Sequence, residues 1–204
     1  KVFLLNAPTD SRTTEIYLRQ CLGRLKDHLG VDVIDNVIVS FNGFEFSDND
    51  EALPMEVTGP PLHSSSFPRQ DQVHWPVPFE YIISTWQVLE ALHDEGVAKS
   101  LGVSQFNHNQ LERLLAYAKH RPLVDQVTLA SCCAMPKQLL KYCQERDVDV
   151  QRNSDPTDIL TQTDLDQITR QFPKLRHPEH PLAPKWVVKY SVLIKHRGIL
   201  GNKG

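Results

Sequence analysis

Strand-length apolar runs alternate with helix-period segments along most of the chain, and this alternation constrains the fold more than any other feature. The runs Val2–Asn6, Val33–Ser40, Lys99–Val103, Asp125–Leu129, Val148–Gln151 and Gly198–Leu200 read as strands. Between them Thr13–Leu29, Phe79–Glu95, Asn109–His120, Pro136–Arg146 and Leu182–His196 carry helical patterns. In the third of these, Leu111, Leu114, Leu115 and Ala118 recur at i, i+3, i+4 and i+7, one face of a helix. Asn109 suits an N-cap there, and Pro136 suits the first turn of the next helix. Strand and helix in repeated succession demand a parallel sheet. Right-handed crossovers then leave two architectures, a barrel or a doubly wound open sheet.

Asn42–Val77 interrupts the alternation. It is rich in proline, carries the run Ser64-Ser-Ser66 and the acids Asp48, Asp50 and Glu51, and shows no sustained period. A long irregular segment in a compact domain is a functional loop or a disordered insertion. A shorter irregular stretch surrounds His177-Pro-Glu-His180. The expected organisation is a single domain over residues 1–204 with an irregular insertion at about 42–77. The opening Lys1-Val-Phe-Leu-Leu5 is strand-like from its first residue, so further strands are expected upstream.

Of the 204 residues 40% are hydrophobic and 23% charged, the balance of a globular chain with length enough to bury a core. A formal net charge of -3 argues against nucleic acid or an anionic membrane as the main partner. The chain holds no apolar run long enough to span a bilayer and opens on no charged-then-apolar leader, so no membrane span and no secretion are expected.

Cys21, Cys132, Cys133 and Cys143 lie inside apolar patterns without the spacing of a disulfide framework, which favours a reducing cytoplasm. Adjacent Cys132 and Cys133 bridge each other only with strain, and no Lys, Arg or His lies beside them to lower a thiol pKa. They read first as small buried hydrophobes and second as a redox pair. The nine histidines lack metal-ligand spacing, so no metal is expected. Glycine-rich phosphate cradles and the hydrolase elbow are absent.

Four segments, in order, resemble the aldo-keto reductase family. Gly23-Arg-Leu-Lys-Asp-His-Leu-Gly30 leading into Val33-Ile-Asp-Asn-Val-Ile-Val-Ser40 is similar to that family's Leu-Gly turn and fourth barrel strand. Leu101-Gly-Val-Ser-Gln-Phe-Asn107 is similar to its Gly-Val-Ser-Asn-Phe strand and loop. Asp125-Gln-Val followed by a helix ending Tyr142-Cys143 resembles the next strand and helix. Arg197-Gly-Ile-Leu200 with Lys203 resembles the ending that grips the NADP phosphate. The resemblance implies a (β/α)8 TIM barrel whose first strands lie upstream of this chain. It also implies that the 42–77 insertion emerges on the C-terminal face, where barrel enzymes keep their active-site loops.

The family's chemistry needs a Tyr acid tuned by a Lys, a supporting Asp, and a His that polarises the carbonyl while the nicotinamide delivers hydride. By the resemblance, the His position is Ser40, and the first strand ends in Leu5-Asn-Ala7 with no Lys. The Tyr and Asp positions fall upstream of Lys1. Ser104 and Gln126 stand at positions that hold the nicotinamide carboxamide, but the neighbouring Asn is Gln105 and the stacking Tyr is Asn153. The expected site is therefore vestigial: no catalytic residue, and cofactor contacts reduced to Ser104, Gln126 and Lys203. No cofactor would be required, with room left for weak NADPH binding.

Gln126-Val-Thr-Leu-Ala-Ser-Cys-Cys-Ala-Met-Pro136, Asn153-x-Asp-Pro156 and Trp186-x-x-x-Tyr-Ser-Val-x-Ile-Lys195 resemble one branch of that family, the regulatory (modifier) subunits of glutamate–cysteine ligase. This resemblance implies a cytoplasmic, non-catalytic protein that forms a heterodimer with the ligase catalytic subunit. It further implies better use of glutamate by that subunit and relief of feedback inhibition by glutathione. The alternatives are an active NADPH-dependent reductase of small carbonyl compounds and, more remotely, a free-standing redox sensor built on Cys132 or Cys133.

Overall fold

The structure, a computed structural model, describes residues 1–5, 10–46, 76–129, 135–156, 158–172, 174 and 182–192. Its sheet is built from β1 (Val2–Leu4), β2 (Val37–Phe41), β3 (Leu101–Ser104), β4 (Val124–Thr128), β5 (Asp149–Asn153) and β6 (Trp186–Val188). Between or after these strands come α1 (Ser11–Leu29), α2 (Phe79–Asp94), α3 (His108–Leu115), α4 (Lys137–Gln144) and α5 (Gln162–Arg170). The spatial order is β5-β4-β3-β2-β1-β6. β1 to β5 are parallel neighbours, each followed by a helix, which is the progression of a (β/α)8 barrel.

Local chemistry explains the helices. The Asp10 carboxylate caps α1 by accepting from the Thr13 N–H at 2.7 Å, and Gly30 ends it with a left-handed φ of 63°. Thr14, Leu18, Cys21 and Leu22 recur on one face and are buried where α1 packs on α2 and β6. α2 turns Ile82, Trp86, Leu89 and Leu92 inward, and the Trp86 indole donates to the His120 carbonyl at 3.0 Å. α3 opens two residues before the expected cap Asn109, on a capping box in which Asn107 and Gln110 satisfy each other's backbone N–H groups; Asn109 lies inside the helix. β1, β2 and β3 are buried along their whole length, as parallel strands covered on both faces must be.

Three further expectations need correction. The segment Leu182–His196 does not begin a helix: Trp186–Val188 is a strand, antiparallel to β1, with Leu4 opposite Trp186 and Val2 opposite Val188. Val187 and Val188 are β-branched, which favours extended chain over the helical period of Leu182, Trp186 and Tyr190. Residues 193–196 lie outside the described residues. The second strand begins at Val37, not Val33, because the chain bends at Asp35 and Val33 is exposed; Ile34 makes only an isolated bridge to Ala98. α5 was not expected from the sequence at all. Its apolar periodicity is sparse, with only Thr169 buried, and its start is fixed by a Thr161–Asp164 capping box.

The predicted strand Gly198–Leu200, residues 47–75 of the expected insertion, Cys132, Cys133 and Lys203 lie outside the described residues. The near end of the insertion is tied down. Phe44 is buried, with its ring stacked on Phe106 at 5.1 Å and tilted against Phe41 at 5.6 Å.

Candidate functional site

The ends of the parallel strands converge on a small cleft that is open to solvent. Lys1, Phe3, Ser40, Asn42, Gln105 and Asp155 are among the residues that line it. β1 supplies Lys1 and Phe3 to this side, and because Phe3 is level with Ser40 across the ladder, both point to the same face. Ser40 is buried at the cleft wall. Its hydroxyl is a weaker polarising group than the imidazole that the family resemblance puts at this position.

Beside the cleft, hydrogen bonds cross the ends of β3, β4 and β5. Ser104 is fully buried, and its Oγ donates to the Gln126 carbonyl at 2.8 Å. The Gln105 carboxamide meets Thr128 at two points: Oε1 accepts from the Thr128 N–H at 2.7 Å, and Nε2 donates to Thr128 Oγ1 at 2.9 Å. The Thr128 hydroxyl then donates to Asn153 Oδ1 at 2.8 Å, which also accepts from the Asp155 N–H at 3.0 Å. One row back, the Gln126 side chain donates to Gln151 Oε1 at 3.3 Å. Ser104, Gln126, Gln105 and Asn153 are thus brought together, and these polar groups bond to the protein itself.

Two lysines share the carboxylate of Asp155, which lines the cleft with Lys1. Lys1 Nζ donates to Asp155 Oδ2 at 2.9 Å, and the Lys189 ammonium donates to Asp155 Oδ1. The Lys1 and Asp155 side chains are almost fully buried, whereas Lys189 is half exposed. Burial pushes the Asp155 carboxyl up, but the hydrogen bonds from Lys189 and Lys1 outweigh it and hold the group below its ordinary value. For Lys1 the balance reverses: burial lowers the ammonium's pKa more than Asp155 raises it. Lys1 also lies 5.0 Å from the centre of the Phe3 ring, a cation–π contact.

On the opposite face of β4, Asp125 is fully buried. Burial pushes its carboxyl well above the usual carboxylate range, only partly offset by the Phe106 N–H at 3.5 Å. The described cysteines are equally inert. Burial pushes the Cys21 and Cys143 thiols up to about 12, which leaves almost no thiolate near neutral pH.

Sequence reasoning missed Thr128, Asp125 and the Lys1–Asp155–Lys189 cluster. Thr128 was detectable in principle, two residues beyond Gln126 on the same strand face. Nothing local could pair Lys1 with a residue 154 positions away.

The family model described as "Aldo/keto reductase family" matches residues 70–197. The chain belongs to the aldo/keto reductase family, and its fold is the (β/α)8 fold of that family. Within it, the chain is 31% identical over 141 residues to the glutamate–cysteine ligase regulatory subunit of Bos taurus, covering 69% of this chain and 50% of that protein. It is 25% identical over 206 residues to the putative glutamate–cysteine ligase regulatory subunit of Schizosaccharomyces pombe, covering all of this chain and 68% of that protein. Among solved structures, the aldose reductase of Giardia lamblia aligns with 75% of this chain and 44% of its own at 25% identity and a TM-score of 0.46. The chain spans about half the length of the mammalian relatives it matches. Among the described residues, no helix is long and apolar enough to cross a membrane.

The family's cofactor is a nicotinamide dinucleotide, and the nicotinamide end of the site does not fit it. The Ser104 hydroxyl is committed to a backbone carbonyl, the Gln105 amide is held by Thr128, and Asn153 presents no ring for stacking.

Proposed function

We propose that this chain is a non-catalytic regulatory subunit that binds the catalytic subunit of glutamate–cysteine ligase in a cytoplasmic heterodimer and regulates glutathione synthesis. The observation that carries this reading is the 31% identity to a protein named as that ligase's regulatory subunit. Ser40 at the polarising position and Asn153 at the stacking position support it, because a scaffold stripped of these groups has lost its reductase chemistry.

The effect on the partner is a coupling free energy. The subunit binds more tightly to the partner conformation that holds glutamate well and glutathione poorly, so glutamate must in turn tighten the complex. A tenfold shift in affinity needs only about 1.4 kcal/mol, within reach of a modest interface. Weak NADPH binding through the rest of the dinucleotide, with Lys203 as its phosphate contact, is compatible with this role and not required by it.

Membership of a reductase family supports one other reading, an active NADPH-dependent reductase of small carbonyl compounds. One experiment separates them. The protein is assayed with NADPH against a panel of aldehydes, and separately added to the catalytic ligase subunit at limiting glutamate. The regulatory reading expects no turnover above a heat-killed control and a lower KM for glutamate. Steady NADPH oxidation with an unchanged ligase would reverse the assignment.

A further inference from the structure

The unexpected partner of Thr128 is itself a primary carboxamide. β3 ends at Ser104, so the Thr128 N–H projects past the end of the β3–β4 ladder, whose last rung pairs Ser104 with Gln126. There it needs a carbonyl oxygen, and Thr128 Oγ1 can accept an N–H while its own proton goes to Asn153. A backbone N–H beside a hydroxyl acceptor is a two-point receptor for a group bearing one C=O and one NH2. Gln105 fills both points, at 2.7 and 2.9 Å. To do so it adopts a φ of 70°, a left-handed backbone that residues other than glycine seldom take. Gln105 is buried, and its own N–H is spent on the Gln126 carbonyl at 2.9 Å.

We propose that the end of β4 is a primary-amide site, made by Thr128 N–H and Oγ1, which Gln105 occupies with its own side chain and so closes to the nicotinamide carboxamide. Gln105 acts as an internal stand-in for the ligand. It satisfies the strand end permanently, and a dinucleotide that enters the cleft gains nothing from its nicotinamide. The inference does not depend on the ligase partner, since Gln105 can hold Thr128 whatever the protein binds.

The test compares NADPH with 2′,5′-ADP, which shares the adenosine phosphates and lacks the nicotinamide, by calorimetry on the purified protein. In the wild type the two should bind within about threefold of each other; failure of both to saturate counts as the same result, because neither shows a nicotinamide contribution. Gln105→Gly removes the stand-in and suits the left-handed backbone. It should bind NADPH at least about tenfold tighter than the wild type does, with 2′,5′-ADP unchanged. Should Gln105→Gly fail to fold by circular dichroism, Gln105→Asn is read in its place: it tolerates the left-handed backbone and is one methylene too short to hold both Thr128 groups. Wild-type protein that prefers NADPH about tenfold over 2′,5′-ADP, or a folded variant with no gain for NADPH, overturns the proposal.

Discussion

Asp155, two residues beyond the end of β5, is ion-paired to Lys189, the residue that follows β6. β5 and β6 are the two outer strands of the six-stranded sheet, so this pair joins its opposite edges. An open, flat sheet of six strands would hold those edges more than 20 Å apart, at roughly 4.8 Å per strand. The contact therefore records the curvature of a barrel. Lys1, reaching from β1 to the same carboxylate, closes the ring from inside.

Replacing Asp155 by Ala should cost about 3 kcal/mol near pH 7, because it leaves the buried Lys1 ammonium without its counter-ion. Lys189→Ala should cost under about 1 kcal/mol, since that side chain is half exposed. The Asp155 carboxyl titrates below its ordinary value in the fold, so its contribution is present above about pH 4 and is lost as pH falls through the folded value. Urea denaturation of wild type and Asp155→Ala should accordingly diverge at pH 7 and converge in acid. A constant difference across that range would contradict the assignment.

Asp125 should show the opposite sign. Its folded pKa is raised by burial, so the wild type loses stability as pH rises from the ordinary carboxylate value towards the folded one. Asp125→Asn cannot ionise and should flatten that decline. Stability curves at pH 5 and pH 8 measure it, and parallel losses in both proteins would show that Asp125 is not the group responsible.

Gly102 sits in β3 where a Cβ would come within 2.8 Å of the Val124 carbonyl oxygen and 3.1 Å of the Ile38 side chain. Backbone cannot yield as a flexible side chain does. Gly102→Ala should destabilise by about 1–3 kcal/mol, read as a lower denaturation midpoint with an unchanged slope.

Much of this fold was legible in the sequence. β1, β3, β4 and α1 to α4 follow from apolar period, because that signal is local, whereas the cap of α3 lies at Asn107 and not at the expected Asn109. β6 was not legible: Trp186, Val187 and Val188 adopt extended structure by pairing with β1, a contact across more than 180 residues. The bonding of the candidate site was not legible. The sequence singles out Ser104, Gln126 and Asn153 through the family resemblance, but that Gln105 and Thr128 bond to each other depends on a left-handed backbone at Gln105 that no residue type announces.

Restoring histidine at Ser40 should not restore carbonyl reduction. The hydroxyl is one of several departures, and the Gln105–Thr128–Asn153 chain would still deny the nicotinamide its carboxamide contacts. NADPH oxidation by Ser40→His with a small aldehyde should stay at the level of the wild type. Turnover in that variant would mean that the rest of the machinery is intact and the non-catalytic reading too severe.

The most direct test of the regulatory role is sedimentation of the purified protein with the catalytic subunit of glutamate–cysteine ligase across a glutamate titration. Regulation predicts a one-to-one complex whose dissociation constant falls as glutamate rises, by the same factor by which the protein lowers the dissociation constant for glutamate. Two species that sediment independently at every glutamate concentration, with the ligase's affinity for glutamate unchanged, would contradict it.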